Sequence, residues 1–460
     1  MSSIIGFKAY DYRARLPDEL NPAVAYRIGR AYAEFLKSGA GPKAGPRRVV
    51  VGRDIRLSSE ELCDALGRGL MDSGVDVYDI GLCGTEVVYF ATFSEGMDGG
   101  VMVTASHNPP DYNGMKFVRE QSRPISGDTG LQEIQRIAEA DAYSTPAHKG
   151  RRFALDIGAK YIDHLLSYLD RDRLRKLKVV VNAGNGGAGL VVDALERHLP
   201  FEFIKINHEP DGRFPNGVPN PMLEENRAAT IEAIRHHGAD LGVAWDGDYD
   251  RCFFFDEQGN FIEGYYIVGL LASMFLKREP GARIVHDPRL TWATLDIVES
   301  LGGRAVMSRS GHAFMKDVMR RADAVYGGEM SAHHYFREFG YCDSGQIPWL
   351  LVTQLLCETG KPLSALVGER IERFPASGEI NRKVADAAAT IGRVRARYEP
   401  EAHAMDFTDG LSIEFAEWRF NLRASNTEPL IRLNVESRGD AALMRAKTQE
   451  LLELIGGEPD

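Results

Sequence analysis

The sequence predicts an α/β protein: three tandem related α/β domains with mixed, mostly parallel sheets, plus a smaller C-terminal α+β domain, around one central cleft. Three observations lead there. The chain has 460 residues, too many for one compact core, so three or four domains of roughly 100 to 150 residues are expected. A strand–helix–strand pattern occurs three times. Each time a further strand runs out into a polar loop, and those three loops hold the richest chemistry in the chain. The expected boundaries are 1–148, 149–252, 253–368 and 369–460.

The repeated pattern opens with a β-branched run after a basic residue: "RRVVVGRD", "LKVVVNAGNG" and "ARIVHDPR". Each run stops at Gly, Asn, Asp or Pro. Helical stretches follow, "SSEELCDALGRGLMDSG", "GAGLVVDALERHL" and "LTWATLDIVESLG", and then strands "VDVYDIG", "FEFIKIN" and "GRAVMSR". Such an order requires right-handed crossovers and parallel strands. The further strands end in "GGVMVTASHNP", "ADLGVAWDGDYDR" and "ADAVYGGEMSAHH". Ligands bind beyond the carboxyl ends of strands in such sheets, so three corresponding loops facing one cleft are expected. "EADAYSTPAHKGRR" (139–152) reads as the first linker, helical and then loop-like. The last domain reads as strand "SGEINRKV", helix "AAATIGRVRARYE", strand "LSIEFAEWRFNLRAS", strand "LIRLNVESRG" and helix "DAALMRAKTQELLELI".

Composition excludes several classes. The formal charge is −11 with both signs interspersed, which argues against nucleic acid or an anionic membrane as partner. Small anionic substrates stay open, because a local cluster can be basic in an acidic protein. Five widely spaced cysteines without a C-x-x-C point to reduced thiols in a cytoplasm, not to disulfides or zinc. The N-terminus has no signal-peptide core. The apolar run "YYIVGLLASMFL" is too short to span a bilayer and reads as a core helix. "NAGNGGAG" does not match the dinucleotide fingerprint and reads as a tight strand-to-helix turn. A monomer or weak homo-oligomer is expected.

In "WDGDYDR", Asp246, Asp248 and Asp250 alternate after a strand. An extended turn would point all three the same way. At ~5 Å and an effective dielectric of ~20, each pair of carboxylates costs roughly 3 kcal/mol. A hard divalent cation offsets this best, and three protein oxygens leave room for water and a phosphate oxygen, which suits Mg²⁺. An EF-hand would accept the acids and Glu257, but Arg251 stands where that loop needs Gly. A solvated acidic turn fits poorly beside Trp245 and the run "CFFF".

"VMVTASHNPPDYNGMKF" ends a strand abruptly and leaves Ser106 on a stiff loop, with Asn108 biased away from helix by Pro109. Either a nucleophile or a surface turn would suit such a place. Lys116 lies beyond the turn "DYNG". In "RASNTEPLIRL", Arg423, Ser425, Asn426, Thr427 and Arg432 form either a phosphate nest or a polar hairpin turn. "GGEMSAHH" offers Glu329, Ser331, His333 and His334 to sugar hydroxyls, to a metal or as a general base. Together the motifs specify phosphoryl transfer. No Walker loop or kinase Gly-rich loop is present, so nucleotide is not an obvious donor.

The ordered motifs "TASHNP", "DGDYDR", "GEMSAHH" and "RASNTEP", with "FKAYDYRAR" at the N-terminus, resemble the α-D-phosphohexomutase family, in its bacterial phosphomannomutase/phosphoglucomutase branch. The resemblance spans essentially the whole chain. It implies reversible transfer of phosphate between C6 and C1 of mannose and glucose phosphates, through a phosphoserine and a hexose 1,6-bisphosphate that also serves as activator. By that resemblance the four domains carry, in order, the phosphoserine loop, the metal loop, the sugar loop and the phosphate site.

It implies that Ser106 carries the phosphate and binds Mg²⁺ with Asp246, Asp248 and Asp250. His107, Lys116 and Arg251 become catalytic, the first two as candidates for proton transfer. Glu329, Ser331 and His333 would meet the sugar. Arg423, Ser425, Asn426, Thr427 and Arg432 would grip the non-reacting phosphate. Tyr10, Arg13, Arg289 and His312 would line the cleft. The chain departs from the family's usual "YDIRG" at Tyr12 and Ala14, and Ala332 stands where Gly is frequent. Phosphoglucosamine mutases are the nearest alternative, though they typically carry Gln where "GEMS" has Met330. A metal-dependent sugar phosphatase with Ser106 as nucleophile, or a non-catalytic sugar-phosphate binder, would be different classes of answer.

Overall fold

The computed structural model describes residues 3–39, 47–425 and 430–459. They form two compact units, one of residues up to 261 together with 338–360, the other of 262–337 and the chain from 361 on.

In the first unit, β1 (Tyr12–Arg15), β2 (Arg48–Arg53), β3 (Asp76–Leu82), β4 (Gly99–Val103), β5 (Tyr112–Arg119) and β6 (Arg152–Ala154) build a six-stranded sheet in the order β1-β5-β4-β2-β3-β6. β2 lies parallel to β3 and β4, while β5 runs antiparallel to β4 and to β1. The helices are α1 (Pro22–Ser38), α2 (Ser59–Asp72), α3 (Thr85–Ser94) and α4 (Leu131–Ala140). β2 is buried along its centre and all of β4 is buried, as expected of parallel strands covered on both faces.

A second sheet in the same unit contains β7 (Lys178–Asn182), β8 (Glu202–Ile206), β9 (Leu241–Trp245), β10 (Cys252–Phe255) and β11 (Phe261–Ile262), ordered β11-β10-β9-β7-β8. Its helices are α5 (Gly158–Leu166), α6 (Ala188–Glu196) and α7 (Ala228–His237). The second unit opens with α8 (Gly264–Arg278), then β12 (Arg283–His286), α9 (Trp292–Ser300), β13 (Arg304–Met307), α10 (His312–Ala322), β14 (Tyr326–Gly328) and β15 (His334–Phe336). β12 is parallel to β13 and β14, and β15 runs antiparallel to β14.

The three sheets therefore share one kernel. Its strand order is β3-β2-β4-β5, then β8-β7-β9-β10, then β13-β12-β14-β15. In each, the predicted chemical loop joins the third strand to its antiparallel neighbour. The expected repeat is real at the level of topology. The C-terminal part is an antiparallel sheet of Ile380–Lys383, Ala404–Asp406, Leu411–Glu414, Trp418–Ala424, Leu430–Ser437 and Glu458–Pro459. Helices Ala387–Tyr398 and Ala441–Ile455 accompany it, with a core that includes Phe420, Leu433 and Val435.

Four local readings need correction. "LSIEFAEWRFNLRAS" is two strands, because Phe415 N–H bonds Trp418 C=O at 2.9 Å and turns the chain at residues 415–417. "DYNG" is no turn: β5 begins at Tyr112, and Gly114 pairs with Arg13 of β1. The segment 139–152 is helical and then loop-like as expected, but its last residue, Arg152, opens β6 beside β3. The acidic loop is a turn and not an extended segment, with Tyr249 at φ 44°. The run "YYIVGLLASMFL" does form a buried helix within α8. Among the described residues no helix is long and apolar enough to cross a membrane.

His334 tests the burial in the second unit. Its Nδ1 lies 2.7 Å from the Tyr326 hydroxyl, and its Nε2 is buried without a hydrogen-bond partner. Burial, helped by His333, drives its pKa down to about 3. The unfolded chain then binds the proton first, so this group's contribution to stability is complete above about pH 6.5 and is lost as pH falls toward 3. Between pH 7 and 5 the wild type should lose about 2 kcal/mol more stability than His334→Gln in paired urea titrations.

Candidate active site

Ser106 sits just beyond β4. Its N–H bonds Thr104 Oγ1 at 2.9 Å, and its φ of 48° places it in the left-handed region. An L residue stays there only when its surroundings impose it. Arg56 does much of the imposing. Its Nη2 donates to the carbonyls of Ser106 (2.9 Å) and Asn108 (2.6 Å), and its Nη1 to those of Pro109 (2.7 Å) and Tyr112 (3.0 Å). Arg13 adds a bond from Nη1 to Asn108 Oδ1 at 2.6 Å. Ala14 lies within β1 and has no positive φ, so its presence does not disturb Arg13.

The acidic loop leaves β9 at Trp245, whose Nε1 donates to Gly345 C=O at 2.8 Å. Asp246, Asp248 and Asp250 are all buried, and one carboxylate oxygen from each falls within 4.8 Å of the others. Gly247 permits the approach to the serine loop: a Cβ there would stand 2.4 Å from Ser106 C=O. Ser106 Oγ donates to Asp246 Oδ2 at 2.8 Å. Lys116 Nζ donates to Asp248 Oδ2 (2.7 Å) and Asp250 Oδ2 (2.6 Å). Arg251 holds Asp246 Oδ2 through Nη2 (2.7 Å) and Nε (3.0 Å), and the same Nη2 lies 2.6 Å from His107 Nδ1.

Charge states follow from these contacts. Burial opposes ionisation of Asp248, yet Lys116 and a 2.5 Å bond from Thr85 Oγ1 outweigh it and hold the carboxyl well below its usual value. Burial also opposes the Lys116 ammonium, and Asp248 with Asp250 keeps it charged well above neutral pH. His107 is pushed far down by burial and then by Arg251 and Arg13, so its ring is neutral at pH 7. Asp248 Oδ1 is buried with no hydrogen-bond partner. Three converging carboxylates, one with an unused oxygen, fit a hard divalent cation such as Mg²⁺.

In the second unit, Asp287 organises the loop after β12. It accepts from Arg289 Nη2 (2.7 Å) and from Met330 N–H (2.8 Å). Arg289 Nη2 also reaches Ser331 Oγ at 3.2 Å. Glu329 accepts from Gly311 N–H (2.7 Å) and from the Tyr335 hydroxyl (2.5 Å). Ala332 has φ 69°, a conformation that favours glycine, and it brings His333 round so that its ring centroid lies 6.3 Å from that of His312. Glu379 gathers three arginines: Arg432 at 3.0 Å, Arg423 at 3.1 Å and Arg289 at 3.4 Å. Arg423 Nε is buried with no hydrogen-bond partner.

The first unit thus brings together Ser106, His107, Lys116, Asp246, Asp248, Asp250, Arg251 and Arg13. Tyr10 lies half-buried before β1. The second unit joins Arg289, Ser331, Arg423 and Arg432, with His312 and His333 beside Glu329. Ser425 follows Ala424 at the strand end, its N–H bonded to Leu430 C=O at 2.8 Å. Asn426 and Thr427 lie outside the described residues. Sequence reasoning missed Arg56, Thr85, Asp287 and Glu379. Arg56 and Asp287 stand in loops beyond β2 and β12, and Thr85 opens α3 after β3, all at strand ends where the topology concentrates side chains. Glu379 gave no signal.

Four family models match the chain: phosphoglucomutase/phosphomannomutase α/β/α domain I over residues 5–144, domain II over 159–259, domain III over 263–374 and the C-terminal domain over 379–453. A phosphomannomutase of Escherichia coli is 59% identical over 463 residues, covering 99% of this chain and 100% of that protein. Phosphohexose mutases of Xanthomonas campestris pv. campestris (strain B100) are 58% identical over 451 residues, covering 98% and 99%. The crystal structure of a phosphoglucomutase/phosphomannomutase family protein from Burkholderia thailandensis superposes with a TM-score of 0.87 at 33% identity and covers all of both chains.

Arg56→Met should keep the fold and loosen the 104–113 segment selectively. Amide hydrogen exchange there should quicken by about tenfold or more, as expected when bonds from a charged donor are lost. Unchanged protection would remove Arg56 from the role given to it.

Proposed function

The chain belongs to the phosphoglucomutase/phosphomannomutase family of isomerases, and on that premise we propose that it moves phosphate reversibly between C6 and C1 of mannose and glucose phosphates. The observation that carries this reading is the Ser106 hydroxyl set 2.8 Å from Asp246 Oδ2 within a buried cluster of three carboxylates. In the resting enzyme Ser106 holds a phosphoryl group. The Oγ–P bond breaks as a sugar hydroxyl bonds the phosphorus and gives up its proton. The resulting hexose 1,6-bisphosphate turns end for end and returns its other phosphoryl group to Ser106. Added bisphosphate serves as activator by phosphorylating an unmodified serine.

Asp246, Asp248 and Asp250, with an oxygen on Ser106, would hold Mg²⁺. Bound there, the ion would neutralise charge on the transferred phosphoryl oxygens. Asp246 accepts the hydrogen of the unmodified serine, and Arg251 keeps Asp246 and His107 in place. His107 is unprotonated and can receive the sugar's proton, but burial, Arg251 and Arg13 make it a weak base that must pass the proton on. Lys116, held as an ammonium, serves better to neutralise charge than to accept a proton.

Arg289, Arg423 and Arg432, with Ser425, Asn426 and Thr427, take the non-reacting phosphate. Glu329, Ser331, His312 and His333 meet hydroxyls, and Tyr10 and Arg13 border the site. Glucose and mannose differ only at C2, and a few hydroxyl contacts that accept two orientations of one bisphosphate also accept either sugar. Relatives named phosphomannomutase and phosphohexose mutases support this breadth.

Intact mass of the purified protein should show a species heavier by one phosphoryl group, located on Ser106. Mannose 1-phosphate and glucose 1-phosphate should both convert to their 6-phosphates, and Ser106→Ala should lower turnover about 1,000-fold or more. Free phosphate as the main product would instead mark a phosphatase. Asp248→Asn should abolish most Mg²⁺-dependent turnover while thermal unfolding changes little; normal turnover would remove the metal from this site.

A further inference from the structure

The loop Asp246–Arg251 is clamped from two sides within the first unit. On one side stands the start of α3. Gly84 N–H bonds the Tyr249 hydroxyl at 2.7 Å, Thr85 N–H bonds Asp248 C=O at 3.1 Å, and Thr85 Oγ1 bonds Asp248 Oδ2 at 2.5 Å. On the other side stands the turn Ser344–Gln346, which opens the helix Ile347–Thr359. Gly345 C=O accepts from Trp245 Nε1, the residue just before the acidic loop. A Cβ on Gly345 would lie 2.3 Å from Tyr249 C=O and 3.0 Å from the Arg251 backbone.

One side chain joins the two walls. Glu86, the second residue of α3, is fully buried. Its Oε2 accepts from Gly345 N–H (2.5 Å) and Gln346 N–H (3.3 Å). Its Oε1 meets the Ser344 hydroxyl at 3.0 Å and, at short range, the hydroxyl of Tyr161 from α5. Glu86 touches none of the three aspartates and lies outside the chemistry described above.

We propose that Glu86 is a positioning residue for phosphoryl transfer: by tying α3 to the Ser344–Gln346 turn, it sets the spacing of the two walls that hold Asp246, Asp248 and Asp250 in register. The proposal rests on the reading of this loop as the metal site of a mutase. Burial pushes the Glu86 carboxyl up to about 8, so it is largely protonated at pH 7. A protonated carboxyl fits these partners. Oε2 faces only N–H donors, while Oε1 faces two hydroxyls that can each turn to accept. A glutamine amide can reproduce that pattern and a leucine cannot.

Three variants and two readouts test this. Glu86→Leu would leave the Gly345 and Gln346 N–H groups buried and unpaired, and Gly345→Ala would push on Tyr249 from the other wall. Each should weaken binding of Mg²⁺ alone, measured by calorimetry, by about 10-fold or more, the scale seen for lost supports of metal ligands. Each should also lower kcat by up to about 100-fold, as expected for a misplacement near 1 Å, with KM for hexose phosphates within about threefold. Glu86→Gln should stay within about threefold of wild type in both readouts.

Folded Glu86→Leu or Gly345→Ala protein with wild-type Mg²⁺ affinity and kcat would overturn the proposal, as would a glutamine variant no better than leucine. If Glu86→Leu fails to fold, Gly345→Ala and Glu86→Gln decide alone. A wild type that binds Mg²⁺ but isomerises neither sugar phosphate would sink the mutase reading, and the Mg²⁺ affinities would still judge Glu86.

Discussion

Three carboxylates buried on one short loop repel one another, and much of the first unit serves to make that arrangement tolerable. Each pair costs roughly 3 kcal/mol at ~5 Å and an effective dielectric of ~20. Lys116 and Arg251 supply opposite charge at hydrogen-bond distance, and Thr85 adds a neutral donor to Asp248. Each offsetting group comes from a different place: β5, the acidic loop itself and the start of α3. Charge compensation thus also fixes position, because a buried ion pair tolerates little error in distance. The serine is drawn into the same network through Asp246.

The sheets explain why such a network is possible. A parallel strand whose next neighbour is antiparallel must reverse within a short loop, so that loop is tight and its side chains are crowded. In all three kernels the residues proposed for the chemistry sit in that reversal: Ser106 between β4 and β5, Asp246 between β9 and β10, Glu329 between β14 and β15. Tight reversal also accounts for the left-handed backbone at Ser106, Tyr249 and Ala332. One such residue occurs in each loop, where an ordinary turn would favour glycine or asparagine.

The strands and helices of the repeats were legible because their hydrophobic runs end at clear punctuation. The acidic triplet was legible because such density of like charge has few explanations. What stayed hidden depended on long-range contact. Nothing near "GRDIRL" says that the Arg56 side chain closes on four carbonyls 50 to 56 positions away. "GTEVVYF" looks like any capped helix start, yet Thr85 and Glu86 reach residues 248 and 344–346. The single-strand reading of "LSIEFAEWRFNLRAS" failed for the opposite reason. The apolar positions shift phase at the adjacent pair Phe415–Ala416, a local break passed over in that reading, and the bond from Phe415 N–H to Trp418 C=O shows the chain reversing there.

The second unit poses the mirror problem. Arg289, Arg423 and Arg432 gather like positive charge, and there the offsetting groups are the nearly buried carboxylate of Glu379, which meets all three, and Asp287, which holds Arg289. Burial alone would raise the pKa of Glu379, but the three guanidinium groups hold it below its usual value, so it stays anionic. Asp287 pairs with Arg289 while Glu379 is shared by Arg423 and Arg432, and the buried Nε of Arg423 has no hydrogen-bond partner. The guanidinium groups are thereby already oriented, so little side-chain freedom would be lost on binding an anion. An uncompensated cluster of three arginines would have to be assembled against its own repulsion at the moment of binding. On this argument Glu379 would contribute to anion affinity through preorganisation, although its own charge would oppose the ligand.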